Sequence, residues 1–294
     1  GRGYTGIAIA VATGTLFPTF MVMTANLPTV VHVSIMDALF SNAPAFSAWF
    51  FYLAPLSIFR ALALGAIILL LFRVSSTAGK VATDNEPMTP RQKRLALVLT
   101  GTLLFWLTDT WHGIAPAWIA LATAIIVLMP PLDLLPASAM KERIDLSPVF
   151  YVAGVLCIGA VMQHNGLDTQ LGTLALEYLG LEVGNNFLNY YLVHTMSFLS
   201  SLALTTPAVP IMLVPLAGQI SEASGLSLVA VLMTQFVGVS TILFPYQVPP
   251  LVVALSMCRI RVRDLIKTCL LLTAAVFILG APLNYLWWRL IGLL

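Results

Sequence analysis

The chain has 294 residues, of which 59% are hydrophobic and 9% charged, with a formal net charge of +2 at pH 7. A soluble domain carries about a quarter charged residues, so these proportions and a mean hydropathy of +0.95 exclude an ordinary soluble protein. The charge is too small to argue for nucleic acid, and the apolar runs are continuous rather than alternating, which excludes a membrane barrel and leaves an all-α polytopic membrane protein.

The chain opens at Gly1 without Met, already close to a membrane span, and therefore reads as a fragment. A first span covers about residues 5–33. Within it, Met21-Val22-Met23-Thr24-Ala25-Asn26-Leu27-Pro28 is a candidate break, because Pro28 removes a helix donor and Asn26 can replace it locally. A polar stretch from Asp37 to Ser47 leads to a second span, Ala48 to Phe72. Arg60 lies in its middle, and a cation at that depth is paired or functional by default, although no partner can be named. The most hydrophilic region, residues 73–94, is read as a linker dividing the chain.

A third span, about Leu95 to Thr108, ends in the turn Trp111-His112-Gly113-Ile114-Ala115-Pro116. His112 is expected to cap or to sit at the interface, and Asp109 to face water. A fourth span runs from Ala117 to Met129 and stops at Pro130-Pro131; a fifth runs from Pro148 to Met162. Residues 163–186 hold Asp168, Glu177 and Glu182 but no Lys or Arg, and the flanking His164 and His194 are expected to be solvated. Met196 to Gly218 is apolar but broken by Thr205, Thr206, Pro207 and Pro210. The next span, Leu226 to Leu255, is broken by Phe244-Pro245-Tyr246-Gln247-Val248-Pro249-Pro250. Arg259, Arg261 and Arg263 precede a last span, Leu265 to Leu290, anchored by Trp287, Trp288 and Arg289. Cys157, Cys258 and Cys269 are scattered and give neither a disulfide framework nor metal spacing.

Cation-rich loops belong on the cytoplasmic side, which places residues 73–94, 131–146 and 258–264 inside and the cation-free 164–187 outside. Counting crossings then leaves Tyr190–Ile220 entering and leaving on the external side, as a re-entrant hairpin. Broken apolar segments close together point to a transporter's binding site. Half-helix N-termini favour anions and opposing half-helix ends offer carbonyls to a cation. Ser201, Thr205 and Thr206 add hydroxyls suited to a carboxylate, sulfate or phosphate group. Protease and prenyltransferase motifs are absent, so no enzyme is expected. A channel and a structural subunit remain alternatives.

Thr205-Thr206-Pro207-Ala208-Val209 with Pro215 resembles the Ser-Asn-Thr-Ala-Thr hairpin of the divalent anion:sodium symporter family, and Phe244–Leu251 resembles its Thr-Pro-Pro-Asn break. Trp111–Ala117 is similar to its His-Gly-Ile-Ser-Pro-Ala helix opening. Ile144-Asp145 with Gly154, Gly159, Met162 and Asn165-Gly166-Leu167 is similar to its Ile-Asp-Trp span, and Ala12–Val30 to the break of its first repeat. The resemblance implies two inverted repeats, an elevator-type transport domain with re-entrant hairpin and broken helices, and a homodimeric scaffold in a bacterial inner membrane. It assigns residues 1–72 to the end of the first repeat, 73–94 to a cytoplasmic linker and 95–294 to the second repeat. The second repeat comprises scaffold spans 95–130, a transport-domain span 147–163, a hairpin 188–221, a broken helix 226–257 and a last span 265–291.

The implied activity is secondary transport of a small dicarboxylate, tricarboxylate or sulfate-like anion, with Na+ as coupling ion and no other cofactor. The implied substrate contacts are Thr205, Thr206, Pro207, Thr24, Asn26, Pro249 and Pro250. The implied ion contacts are Ser201, Thr205, Thr206, Gln247 and Val248. The family's hairpin Asn is Thr206 here, the Thr after it is Pro207, and the Asn of Thr-Pro-Pro-Asn is Leu251. With both amides lost, proton coupling, uncoupled permeation and a transport-incompetent subunit stay open.

Overall fold

The computed structural model describes residues 2–72, 87–129 and 177–294, with isolated positions between 132 and 170. The expected linker up to residue 86, the loop 131–146 and the span 147–163 lie outside these residues apart from such positions. Regular structure among the described residues is entirely helical. Among the described residues, three stretches are long and apolar enough to cross a membrane: Gly3–Met21, Phe46–Leu71 and Val262–Leu290. The chain divides into two compact units, one of residues 1–44, 50–74 and 150–294, the other of residues 45–49 and 75–149.

The smaller unit contains the start of α3 (Phe46–Leu71), α4 (Pro90–Leu107), α5 (Asp109–His112) and α6 (Pro116–Leu128). Thr89 opens α4 with a reciprocal capping box: its Oγ1 accepts the Gln92 N–H at 3.3 Å, and Gln92 Oε1 accepts the Thr89 N–H at 2.8 Å. The hydroxyls of Thr102 and Thr123 tie α4 to α6 at 2.7 Å. After α5, His112 Nδ1 accepts the Ile114 N–H, so Nε2 donates to the Phe105 carbonyl at 2.9 Å, and Gly113 turns the chain with φ 66°. Asp109 is buried rather than water-facing. Its carboxylate takes the backbone N–H groups of Phe46 and Ser47 and the Ser47 hydroxyl, closing the open first turn of α3. An acidic group at a helix N-terminus satisfies free donors and the dipole together.

The larger unit is built around two interrupted helices and a helical hairpin. The first interrupted helix is α1 (Arg2–Gly14), a 3-10 turn at Pro18–Met21 and α2 (Leu27–Phe40). The hairpin is α7 (Asn186–Ala203), a tip at residues 204–208, α8 (Val209–Leu213), a 3-10 turn at Val214–Leu216 and α9 (Ala217–Ser224). The second interrupted helix is α10 (Leu228–Val239), a 3-10 turn at Pro245–Gln247 and α11 (Pro249–Cys258). The last span, α12 (Val262–Ala275), continues through a π-helical turn at Val276–Gly280 into α13 (Ala281–Leu290).

α10 is the centre of this unit, since every residue from Ala230 to Val239 is buried. α7 lies along it, so close at Gly238 that a β-carbon there would stand 2.4 Å from the His194 carbonyl and 2.5 Å from Ser197 Cβ. Small residues permit such backbone approach between membrane helices. α1 packs on α11 and α2 on α10, so each half of one interrupted helix meets the opposite half of the other. The hairpin arms join at their base, where Asn189 Nδ2 donates to the Ser224 carbonyl at 3.0 Å. The second arm is held to α10 by Gln235 Nε2, 2.7 Å from the Leu213 carbonyl.

Two prolines inside long helices leave carbonyls without their usual donors, and aromatic side chains supply the replacements. Pro55 in α3 releases the Phe51 carbonyl, which accepts from Trp287 Nε1 at 3.0 Å, and the adjacent Tyr52 carbonyl accepts from Trp288 Nε1 at 2.9 Å. Pro282 stands where the π-turn would supply an N–H to Phe277, and the Tyr191 hydroxyl donates there instead at 2.9 Å. Trp288 is fully buried, its ring 5.7 Å from that of Tyr190, and so is not the interfacial anchor expected of it. His194, expected in solvent, is likewise fully buried and stacks on Phe277 at 4.6 Å. His194 lies on the face of α7 that packs against the last span, which is why its ring is covered.

Candidate functional site

The breaks are places where backbone polar groups lose helical partners, and each lost partner must be replaced. In the first break this is done by local turns. Thr19 donates its N–H at 3.2 Å and its hydroxyl at 2.7 Å to the Leu16 carbonyl, and Val22 donates to Thr19 at 2.9 Å. Asn26 then opens α2: its Oδ1 accepts the Thr29 N–H at 3.1 Å and the Thr29 hydroxyl at 2.6 Å. The Nδ2 of Asn26 is buried and has no partner among the described residues. Thr24, two residues before it, is exposed.

The second break is organised by one side chain. Gln247 folds back so that its Oε1 accepts the N–H groups of Leu243 at 2.8 Å and Phe244 at 2.7 Å. Its Nε2 reaches the hairpin, donating to the Ser201 carbonyl and the Ser201 hydroxyl oxygen, both at 2.8 Å. Its backbone carbonyl accepts twice from Thr206, from the N–H at 2.9 Å and the hydroxyl at 3.1 Å. The Tyr246 hydroxyl donates to the Leu202 carbonyl beside this junction. Ser201, Thr206 and Gln247 are all fully buried. The hairpin tip and the second break are thus joined without an intervening group.

The residues marked in the sequence fall into three sets. Ser201, Thr206 and Gln247 are brought together as described, with Pro207 and Val248 buried beside them. Thr205 stays exposed at the tip; its carbonyl closes a turn with the N–H groups of Ala208 at 2.9 Å and Val209 at 3.2 Å. Pro249 and Pro250 are exposed at the start of α11. Neither proline has an N–H and the Leu251 N–H goes to the Val248 carbonyl at 3.1 Å, so this helix start offers few free donors to an anion. Thr24 and Asn26 belong to the first break, with no hydrogen bond to the Ser201–Thr206–Gln247 cluster among the described residues. They connect to the hairpin through α2, which packs against α8.

Arg60 is the residue whose place the sequence could not supply. It is 2% exposed, and its Nη2 lies 3.0 Å from Ser240 Oγ, 3.3 Å from Thr241 Oγ1 and 3.4 Å from the Val237 carbonyl. Its guanidinium carbon is 6.0 Å from the centroid of the Phe20 ring, in the 3-10 turn of the first break. The cation therefore sits between the two breaks, at the carbonyl end of α10. Ser240-Thr241 immediately after an apolar helix was the available signal for its partner.

The chain is 27% identical over 224 residues to a protein of Cupriavidus necator described as "Membrane protein". That match covers 71% of this chain and 44% of the relative, so the chain spans less than half the relative's length. The family model of the sodium:sulfate symporter transmembrane region matches residues 4–294. With hairpin and interrupted helices in place over that length, the chain belongs to the sodium:sulfate symporter transmembrane region family.

Proposed function

We propose that the protein is a secondary active transporter of a small anion, a sulfate-like or di- or tricarboxylate solute, carried with Na+ by an elevator movement of the larger unit. The observation that carries this reading is the junction of Thr206 with Gln247, where two interrupted apolar segments meet in a chain of a symporter family. An interruption at membrane depth is tolerated where it is buried in protein or lines a cavity, and paired interruptions are how transporters build a midplane site. The exposed hydroxyls of Thr205 and Thr24 and the unpartnered Nδ2 of Asn26 are the donors offered to the anion, with Pro249 and Pro250 forming an apolar wall.

In this reading the two interrupted helices, each half packed against the other's opposite half, descend from inverted repeats. The hairpin opens to the external side and loops 73–94, 131–146 and 258–264 lie in the cytoplasm of a bacterial cell. The smaller unit forms the fixed scaffold of a homodimer, and the absence of any buried residue on α4 supports a contact surface there. Uptake of labelled sulfate, succinate and citrate into vesicles containing the full-length protein tests the reading. Saturable uptake of one of them, driven by an inward Na+ gradient, is expected. No saturable uptake of any, with either a Na+ or a proton gradient, overturns it.

A further inference from the structure

We infer that Arg60 is a resident cation of the second break, its guanidinium held where the carbonyl end of a half-helix would otherwise take a diffusible cation. Its charge is permanent, because a guanidinium keeps its proton in proteins. No carboxylate among the described residues pairs with it; the ion pair they form is Arg261–Asp264, elsewhere in the chain. A fully buried arginine without an acid must find its counter-charge in dipoles, and Arg60 finds it at the end of α10. The carbonyl terminus of a helix carries roughly half a negative charge, and Val237, Ser240 and Thr241 present three oxygens there within 3.4 Å of one guanidinium nitrogen. The negative face of the Phe20 ring, 6.0 Å away, adds the first break to the same cation.

At the Gln247 end of the second break the oxygens are likewise engaged. A sodium ion needs several oxygens whose lone pairs face inward. Here the Gln247 carbonyl is taken by Thr206, the Ser201 carbonyl and hydroxyl oxygen by the Gln247 amide, and Gln247 Oε1 by two backbone N–H groups. Protein donors have replaced the ion at one end of the break and a guanidinium at the other. The second break therefore receives its positive charge from a side chain of the protein, and takes no Na+.

The inference rests on the reading of these breaks as a transport site, but its test reads cation binding and not uptake. Full-length protein in nanodiscs is melted in sodium chloride and in choline chloride at equal ionic strength, as wild type, Arg60→Lys and Arg60→Met. Arg60→Met is expected to lose stability and to regain it in sodium with a saturable upward shift larger than that of wild type and Arg60→Lys, which keep only the shift due to sodium bound elsewhere. A sodium response of Arg60→Met equal to that of wild type overturns the inference, since a purely structural arginine gives that result. Should Arg60→Met fail to fold, a structure of the wild type in thallium chloride decides. Thallium density beside Val237, Ser240, Thr241 or the Gln247 carbonyl overturns the inference, and the guanidinium alone at that position supports it.

Discussion

Thr206 gives both its backbone N–H and its hydroxyl to the carbonyl of Gln247, at 2.9 and 3.1 Å, and so fastens the tip of the hairpin to the break of the neighbouring helix. The side chain of Gln247 completes the fastening through Ser201 and through its own 3-10 turn. Gln247→Leu removes the whole side-chain contribution and leaves the N–H groups of Leu243 and Phe244 without their acceptor. An unsatisfied buried group costs about 1–3 kcal/mol. Gln247→Leu is therefore expected to lower the melting temperature of the purified protein clearly and to reduce uptake. Gln247→Leu with wild-type stability would show that the junction is not what holds the tip.

At Gly238 α7 and α10 approach so closely that a β-carbon has no room. Gly238→Ala drives a methyl into the His194 carbonyl and Ser197, and overpacking of this kind costs about 1–3 kcal/mol. Gly101→Ala in α4, where nothing lies within 4 Å, serves as control. Melting curves of the two variants should separate, with Gly238→Ala lower and Gly101→Ala at or above wild type.

Asp109 caps α3 across 62 and 63 residues of sequence. Asp109→Ala is expected to cost about 0.5–2 kcal/mol, the usual loss for a helix cap, while Asp109→Asn keeps one acceptor oxygen and should lose less. Thermal unfolding of both variants against wild type checks the order.

Tyr191→Phe deletes the hydroxyl that satisfies the Phe277 carbonyl in the π-turn. Because Pro282 cannot donate, the carbonyl is left bare, and a loss of about 1–3 kcal/mol follows. Hydrogen exchange of the amides of α12 and α13 is the sensitive readout, with faster exchange expected around the π-turn in Tyr191→Phe.

The helical character was legible because long continuous apolar runs can satisfy their backbone only within a helix, and prolines and hydroxyls at Thr205–Pro210 and Pro245–Pro250 stand out as interruptions in those runs. Partners were not legible. Asp109 looked like a residue at a water-facing helix end, since nothing local shows that the first turn of α3 lies against it. His194 and Trp288 carry polar atoms that usually mark a surface, yet each ring packs against aromatic neighbours from distant sequence. Arg60 announced itself by depth alone; its partners are a carbonyl and two hydroxyls, which leave no charge pattern to read. Gln247 stood in the sequence only as an implied ion contact, whereas its side-chain amide makes four hydrogen bonds to the protein.

The central claim is that an anion is met at these breaks by Thr205, Thr24 and Asn26. The most direct test is the concentration dependence of labelled sulfate or dicarboxylate uptake by the full-length protein, comparing wild type with Thr205→Val, Thr24→Val and Asn26→Asp. Thr205→Val and Thr24→Val remove exposed hydroxyls, and Asn26→Asp removes the Nδ2 donor while keeping the oxygen that caps α2, so folding should be preserved, and the account predicts a KM raised about 10-fold or more for each lost hydrogen bond to a charged group. Uptake by all three variants with the KM of wild type would place the anion elsewhere and contradict the account.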